Sequence, residues 1–269
     1  MIPLPQTAQP ERLLAPLRES PQRTAVLCDV DGTLAPIAAR PDQAVVPDAA
    51  RAVLEALALR YALVGCVSGR RAAEARAMVG LDSLTYIGNH GLERLMPGAD
   101  EAEVDPAMRP LADRVRDFSA AHLTAELEDM GVALEDKHAI WSFHYREARD
   151  EAAARAALEQ VASAALEQGL FPHWGRRVLE IRPTDSVDKG TAIAALLRDR
   201  ALTFALYGGD DATDLDAFRE LRSLSGVEAV CVGVASDDGP SAITAEADLV
   251  VDGPEGFREL LEMLAAAGE

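Results

Sequence analysis

The chain has 269 residues, 49% of them hydrophobic, and a formal net charge of −19. That is ample apolar material for one large domain or two modest ones, and it excludes a disordered chain. The acidic balance argues against nucleic acid or an anionic membrane surface as partner, since both need clustered cations, so an anionic substrate would need a local positive site.

The opening stretch "MIPLPQTAQPERLLAPL" carries prolines and an acid where a secretory signal has a basic start and an apolar core, and no apolar run reaches the length of a membrane span. The expectation is a soluble, cytoplasmic monomer. Cys28, Cys66 and Cys231 each sit in a short apolar run without metal-like spacing, and read as buried free thiols of a reducing compartment.

In chain order, "TAVLCDVDG", "YALVGCVSG" and "LTYIGNHG" come first, and "TFALYGGDD", "EAVCVGVASDD" and "ADLVVDG" come last. Each is apolar on both alternating sets and ends in a polar or glycine-rich turn, the pattern of strands covered on both faces in a parallel sheet. Helical spacing of Ala, Leu, Glu and Arg predicts helices over 48–60, 70–79 and 191–199. The predicted core is α/β, a Rossmann-like doubly wound parallel sheet built from residues 1–100 and 183–269. Residues 101–182 read differently: a helix over 106–128, strands in "GVALEDK" and "AIWSFHYR", an Ala-rich helix over 147–168, then "LFPHW" and "RRVLEIRP". These strands alternate apolar with polar, which predicts an antiparallel sheet with one open face inside an inserted α+β cap domain.

Ligands of an open parallel sheet bind at the carboxyl ends of its strands. Those ends supply Asp29 and Asp31, Ser68 and Gly69, and Asp210, Asp211 and Asp214. Several carboxylates at one edge call for a hard cation, and an all-oxygen site with positions left for water and phosphate suits Mg2+. A capped turn accounts for "DVDGT" alone, because Asp, Gly and Thr are good turn formers, but not for a second acidic cluster at another strand end. A carboxylate-held metal suits phosphoryl transfer. Asp29, last on its strand, is then the candidate nucleophile, and Asp31, on the same side of an extended backbone, can protonate a leaving alcohol and later activate water. Ser68 and Gly69 open a predicted helix, a natural phosphate site, although an ordinary serine cap explains them as well. Lys189 in "VDKGTAIAALL" lies in the first turn of a helix, where the dipole disfavours a cation. A bound anion and plain solvation are the two accounts of it.

Strand alternation also sorts the cap residues. Glu135 and Lys137 share a face opposite Val132 and Leu134; Arg146, His144 and Ser142 lie opposite Trp141, Phe143 and Tyr145; Arg176 and Glu180 lie opposite Leu179 and Ile181. The apolar face must pack on helices, which leaves a charged face that is either simply wet or reads a hydroxyl-rich ligand.

Taken in order, "DVDGT", "VSGR", "DKG" and "GDDATD" resemble the four motifs of the haloacid dehalogenase superfamily of phosphatases. With "GNHGLE", "LEDK" followed by "SFHYR", and "VLEIRP" before "DKG", the chain resembles the trehalose-6-phosphate phosphatases over about 25–253. The resemblance implies hydrolysis of trehalose 6-phosphate through an aspartyl-phosphate, with Asp29 as nucleophile and Asp31 as acid and base. It implies Mg2+ bound by Asp29, the Asp31 backbone carbonyl and Asp210, with Asp211 and Asp214 beside them. It further implies that Ser68 and Lys189 hold the phosphate, with Gly69 and Arg70 in the substrate site. Asn89, His90, Gly91, Glu135, Lys137, Arg146, Arg176 and Glu180 would contact the disaccharide. Phosphatases of sucrose 6-phosphate or mannosyl-3-phosphoglycerate would share such a core. A phospho-acceptor signalling module also clusters aspartates with a lysine, but has no inserted cap. Two departures stand out: Leu215 then Asp216 where the family often has an acid directly after "TD", and Arg176 where a lysine is usual.

Overall fold

A computed structural model of the chain describes residues 8–38, 43–104, 106, 108–175, 177–198, 200–236 and 239–266. They fall into two compact units, one within 1–102 and 187–269 and the other within 103–186. The first half of the larger unit holds α1 (Ala8–Glu19), β1 (Thr24–Cys28), α2 (Asp48–Arg60), β2 (Leu63–Val67), α3 (Ala72–Val79), β3 (Thr85–Gly88) and β4 (Glu93–Leu95). The inserted unit follows with β5 (Glu103–Val104), α4 (Arg109–His122), α5 (Ala125–Asp129), β6 (Ala133–Lys137), β7 (Ile140–His144), α6 (Glu151–Glu167), β8 (Phe171–Gly175) and β9 (Val178–Arg182). The chain then completes the larger unit with α7 (Lys189–Leu197), β10 (Phe204–Gly209), α8 (Asp214–Ser223), β11 (Glu228–Ala235), α9 (Ser241–Glu246), β12 (Leu249–Asp252) and α10 (Gly253–Ala265).

In the larger unit the strands run in the order β12-β11-β10-β1-β2-β3-β4, parallel from β12 to β3 and antiparallel at β4. Every residue of β1, β2 and β3 is buried, as continuous apolar runs require when helices cover both faces. One face is closed by Leu14 and Leu17 of α1, Val53 and Leu57 of α2, and Phe257 and Leu261 of α10. The other is closed by Ile193 and Leu197 of α7, Phe218 and Leu221 of α8, and Ile243 of α9. This is the doubly wound α/β core that the apolar runs predict. From β1 the chain winds outward through β2 and β3, and after the insertion it winds the other way through β10, β11 and β12. The reversal lies between β1 and β10, where such sheets open a crevice at their carboxyl edge.

The inserted unit carries an antiparallel sheet in the order β6-β7-β9-β8. Its apolar face, with Leu134, Phe143, Leu179 and Ile181, packs on Val115 and Phe118 of α4 and on Leu158 and Val161 of α6. Helix, strand, strand thus occurs twice. The helix expected over 106–128 is broken in two, because Leu123 and Thr124 turn extended and the Thr124 hydroxyl accepts the Leu127 N–H to cap a new short helix. The helix expected over 147–168 begins only at Glu151, where Asp150 caps it. The helix expected at 191 begins earlier, because Asp188 and Thr191 form a capping box at its start; its expected end at 199 lies outside the described residues.

Candidate active site

The register sets Cys28 beside Gly208, and the Asp29 N–H donates to the Gly208 carbonyl at 2.9 Å. Asp29 therefore follows β1 at the edge where Asp210 follows β10. Gly32 makes the approach of these two loops possible. Its φ is +86°, and a Cβ there would lie 2.0 Å from Asp210 Oδ2, so a side chain would be strained and blocked at once. Thr33, fully buried, donates its hydroxyl to Asp210 Oδ1 at 3.1 Å.

Asp214 folds back from the start of α8 into the same edge. Its Oδ1 accepts Lys189 Nζ at 2.6 Å and the Tyr207 hydroxyl at 2.6 Å, and its Oδ2 accepts the N–H groups of Asp210 and Asp211 at 3.0 Å each. Four bonds use up the acceptor capacity of a carboxylate, so Asp214 acts as a brace for its neighbours. The Lys189 ammonium, on a side chain only 3% exposed, also donates to Asp29 Oδ1 at 2.8 Å. The anions that explain a cation in this helix's first turn are thus two carboxylates of the chain itself.

Burial lifts the Asp29 carboxyl well above its usual range, against the pull of Lys189. Burial, and then the charge of Asp214, push Asp210 up to about 7. For Lys189, burial works toward the neutral form, yet the carboxylates of Asp214 and Asp29 outweigh it and keep the ammonium charged. One oxygen each of Asp29, Asp210 and Asp214 lies within 4.8 Å of the others. Three buried carboxylates to one ammonium, with Asp29 and Asp210 retaining lone pairs, form a donor set that fits a hard divalent cation. A divalent cation held there would offset the negative charge that an incoming anionic group would otherwise meet.

The side chains of Asp31 and Asp211 stand apart from this cluster. Asp31 faces the guanidinium of Arg70, which donates from Nε to Oδ2 at 2.6 Å and from Nη2 to Oδ1 at 2.7 Å. Asp211 is exposed, and its Oδ1 accepts the Ala212 N–H at 2.6 Å. Ser68 and Gly69 do not open α3. The helix starts at Ala72, whose N–H is taken by the buried carboxylate of Glu93 at 3.0 Å, while Ser68 Oγ accepts the Arg70 N–H at 3.1 Å. Any anion held at this turn meets the serine loop rather than the helix end. His90 covers Gly69 so closely that a Cβ there would lie 2.6 Å from its ring. Asn89 and His90 both have positive φ, and Gly91 packs against the Asp188 carbonyl at the start of α7.

In the inserted unit the register aligns Glu135, Ser142, Glu180 and His173 in one row across the four strands. Glu180, buried, takes Lys137 Nζ on Oε1 at 3.2 Å and Arg182 Nη2 on Oε2 at 2.7 Å. The Glu135 carboxyl lies below its usual range, chiefly because His144 Nε2 hydrogen-bonds it at 2.7 Å. Arg146 is not on the strand face with His144 and Ser142, because β7 ends at His144 and Arg146 is exposed in the turn beyond. Arg176 lies outside the described residues.

A model of the trehalose-phosphatase family matches residues 27–252. The chain belongs to the trehalose-phosphatase family. It is 32% identical to a trehalose 6-phosphate phosphatase of Zea mays, over 96% of this chain and 73% of that protein. Its fold matches the C-terminal domain of a Candida albicans trehalose-6-phosphate phosphatase with a TM-score of 0.71 at 24% identity, covering 96% of this chain and 98% of the other. A haloacid dehalogenase-like hydrolase of Bacteroides thetaiotaomicron matches with a TM-score of 0.63 at 15% identity, covering 90% and 99%. The chain spans 15% to 60% of the length of the first curated relatives it matches. Among the described residues no helix is long and apolar enough to cross a membrane.

In each unit of this trehalose-phosphatase-family chain, residues that hold the charged groups escaped the sequence reading. Thr33 sits inside the first motif, and Arg182 lies two residues beyond Glu180 on the same strand face, so motif and alternation could have found both. Tyr207 reads as one more apolar residue of β10, and Glu93, although it closes the motif "GNHGLE", carries no sign of its partner. Neither announces its role, because alternation and turn chemistry do not show that Tyr207 reaches Asp214 or Glu93 reaches the Ala72 N–H.

Proposed function

We propose that this chain is a Mg2+-dependent phosphatase that hydrolyses trehalose 6-phosphate to trehalose and phosphate through an aspartyl-phosphate. The observation that carries this reading is the cluster of Asp29, Asp210, Asp214 and Lys189 at the reversal of the sheet, in a chain of the trehalose-phosphatase family. Asp29 and Asp210 would hold the metal with the Asp31 carbonyl, and Mg2+ would neutralise phosphate oxygens so that an anionic nucleophile can approach. Asp29 attacks phosphorus as the bond from phosphorus to the sugar oxygen breaks, and Asp31 gives that oxygen its proton. Water then attacks phosphorus, Asp31 takes the water's proton, and the bond from phosphorus to Asp29 breaks. Lys189, already paired with Asp29, and Ser68 would hold the phosphate. The inserted unit, with the clamped Glu180 and with Glu135 on its polar face, would supply groups that select the sugar. The three cysteines are buried and free, which supports a reducing, cytoplasmic compartment, and the net charge of −19 supports a self-repelling monomer.

The test is phosphate release from a panel of sugar phosphates with Mg2+ present and then chelated. Preference for trehalose 6-phosphate, lost on chelation and restored by Mg2+, is the expected result. Equal turnover in excess chelator would overturn the metal, and a preference for sucrose 6-phosphate would overturn the substrate.

A further inference from the structure

Arg70 belongs to the second motif, and the family resemblance assigns it to the substrate site. In the structure its guanidinium spans both oxygens of Asp31, at 2.6 and 2.7 Å, on side chains that are 19% and 35% exposed. The backbone on both sides of this fork is fixed. Arg70 donates its N–H to Ser68 Oγ, and Ser68 in turn donates its own N–H to the Ile87 carbonyl at 2.9 Å. On the other side the turn after Asp31 is closed by the Gly32 N–H on the Ala35 carbonyl at 2.7 Å. Reorienting the Asp31 carboxylate is therefore a matter of side-chain torsions, and any rotation of its plane breaks at least one of the two bonds to Arg70.

We propose that Arg70 is the positioning residue for Asp31: it sets the plane of the carboxylate, and proton transfer proceeds with one oxygen leaving the fork while the other stays hinged on the guanidinium. The inference rests on the reading of Asp31 as acid and base. A planar fork is suited to this task, since it offers two parallel donors of which one can let go while the other still directs the group; a lysine offers only a point charge. The proton accounting closes over one cycle. Asp31 gains a proton from the attacking water in the second half-reaction and gives it to the leaving oxygen in the next first half.

The hinge predicts a split between the two half-reactions on p-nitrophenyl phosphate. Its phenolate leaves without a proton, so phosphorylation of Asp29 does not need Asp31, whereas water attack does. In rapid-quench experiments Arg70→Gln should keep the first-turnover release of p-nitrophenolate within about threefold of wild type and lower the following steady-state rate roughly tenfold or more. Arg70→Lys should recover part of that loss. In an Asp31→Asn background, Arg70→Gln should lower the steady-state rate by less than about twofold further, because the group it positions is gone. First-turnover and steady-state rates that fall together would overturn the proposal. So would a raised KM with kcat unchanged, which marks a phosphate contact, or losses that multiply in the double variant. Thermal melting of each variant shows that it is folded. Because the readout uses a generic ester, it stands even if the sugar-phosphate panel rejects trehalose 6-phosphate.

Discussion

The two units hold their charges by different means. In the larger unit main-chain groups share the work with buried side chains: Asp214 takes two main-chain N–H groups besides Lys189 and Tyr207, the Asp29 carboxylate takes Lys189, and Asp210 takes a buried threonine hydroxyl. In the inserted unit the charges are fixed by one another: Glu180 by Lys137 and Arg182, and Glu135 by His144. Side-chain exposure follows the same line, 3% for Lys189 and 0% for Asp214 against 45% for Glu135. A buried carboxylate such as Asp214, with its acceptors filled partly by main chain, has little room to adjust to a ligand, whereas the half-exposed Glu135 on the polar strand face can exchange partners with hydroxyls. Under the proposed function this difference would separate fixed chemistry in one unit from adaptable selection in the other, and single substitutions test that separation.

The largest effect belongs to the proposed nucleophile. Asp29→Asn keeps the volume and one acceptor for Lys189 but cannot form the acyl phosphate, so kcat should fall roughly ten-thousandfold on every phosphate ester while the melting transition stays cooperative. Turnover within tenfold of wild type would show that the fixed edge is not where the chemistry occurs. Next comes Glu180→Gln, which strips the charge that holds Lys137 and Arg182. It should lower kcat/KM for trehalose 6-phosphate by roughly ten- to a hundredfold and leave p-nitrophenyl phosphate within about twofold, because leaving polar groups unpaired costs on the order of 1–3 kcal/mol each. Equal losses on both esters would show that the polar face supports the unit's own fold instead.

The same contrast decides what could be read in the sequence. The strands of the larger unit were legible because runs such as "TAVLC" are buried on both sides, and the motif aspartates were legible because they follow those runs directly. The start of α3 was not, since Glu93, 21 residues on from Ala72, supplies its cap. Nor was the partner of Lys189: the helix dipole signals that an anion is needed, but only the fold brings Asp29, 160 residues away, to it. On the inserted unit alternation placed Glu135, Lys137 and Glu180 on one face, and failed at Arg146 because periodicity does not mark where a strand ends.

The fixed edge should also show itself in the pH dependence of metal binding. Burial and the neighbouring Asp214 push Asp210 up to about 7 in the metal-free chain, whereas the unfolded chain loses that proton near pH 4. Between those values the folded state binds the extra proton, so this group makes the metal-free protein less stable as pH rises from about 4 to 7. A divalent cation needs the bare carboxylate, so Mg2+ must displace the proton. Titration calorimetry should find Mg2+ affinity dropping by about tenfold for each pH unit below 7 and levelling off above it, with proton release on binding at pH 6. Affinity independent of pH from 5.5 to 8 would mean that Mg2+ displaces no proton from Asp210, either because it is not a ligand or because its carboxyl is not raised.

The smallest effect tests how far the fixing of the edge depends on backbone alone. Tyr207 is a buried phenol whose hydroxyl shares Asp214 Oδ1 with Lys189, and burial raises it well above the usual range, so it stays a donor. Tyr207→Phe removes that one bond and keeps the ring, which still packs edge-on against Phe218 at 6.1 Å between centroids. Asp214 would retain Lys189 and the two main-chain N–H groups, three of its four bonds. Losing a hydrogen bond to a buried charged group should lower stability by about 1.5–3 kcal/mol, read by denaturant unfolding. Because Lys189 and the backbone still hold the carboxylate, kcat should change by no more than roughly two- to fivefold. A collapse of kcat to the level of Asp29→Asn would show that the brace depends on the phenol, and that Lys189 and the two main-chain N–H groups do not suffice to hold Asp214.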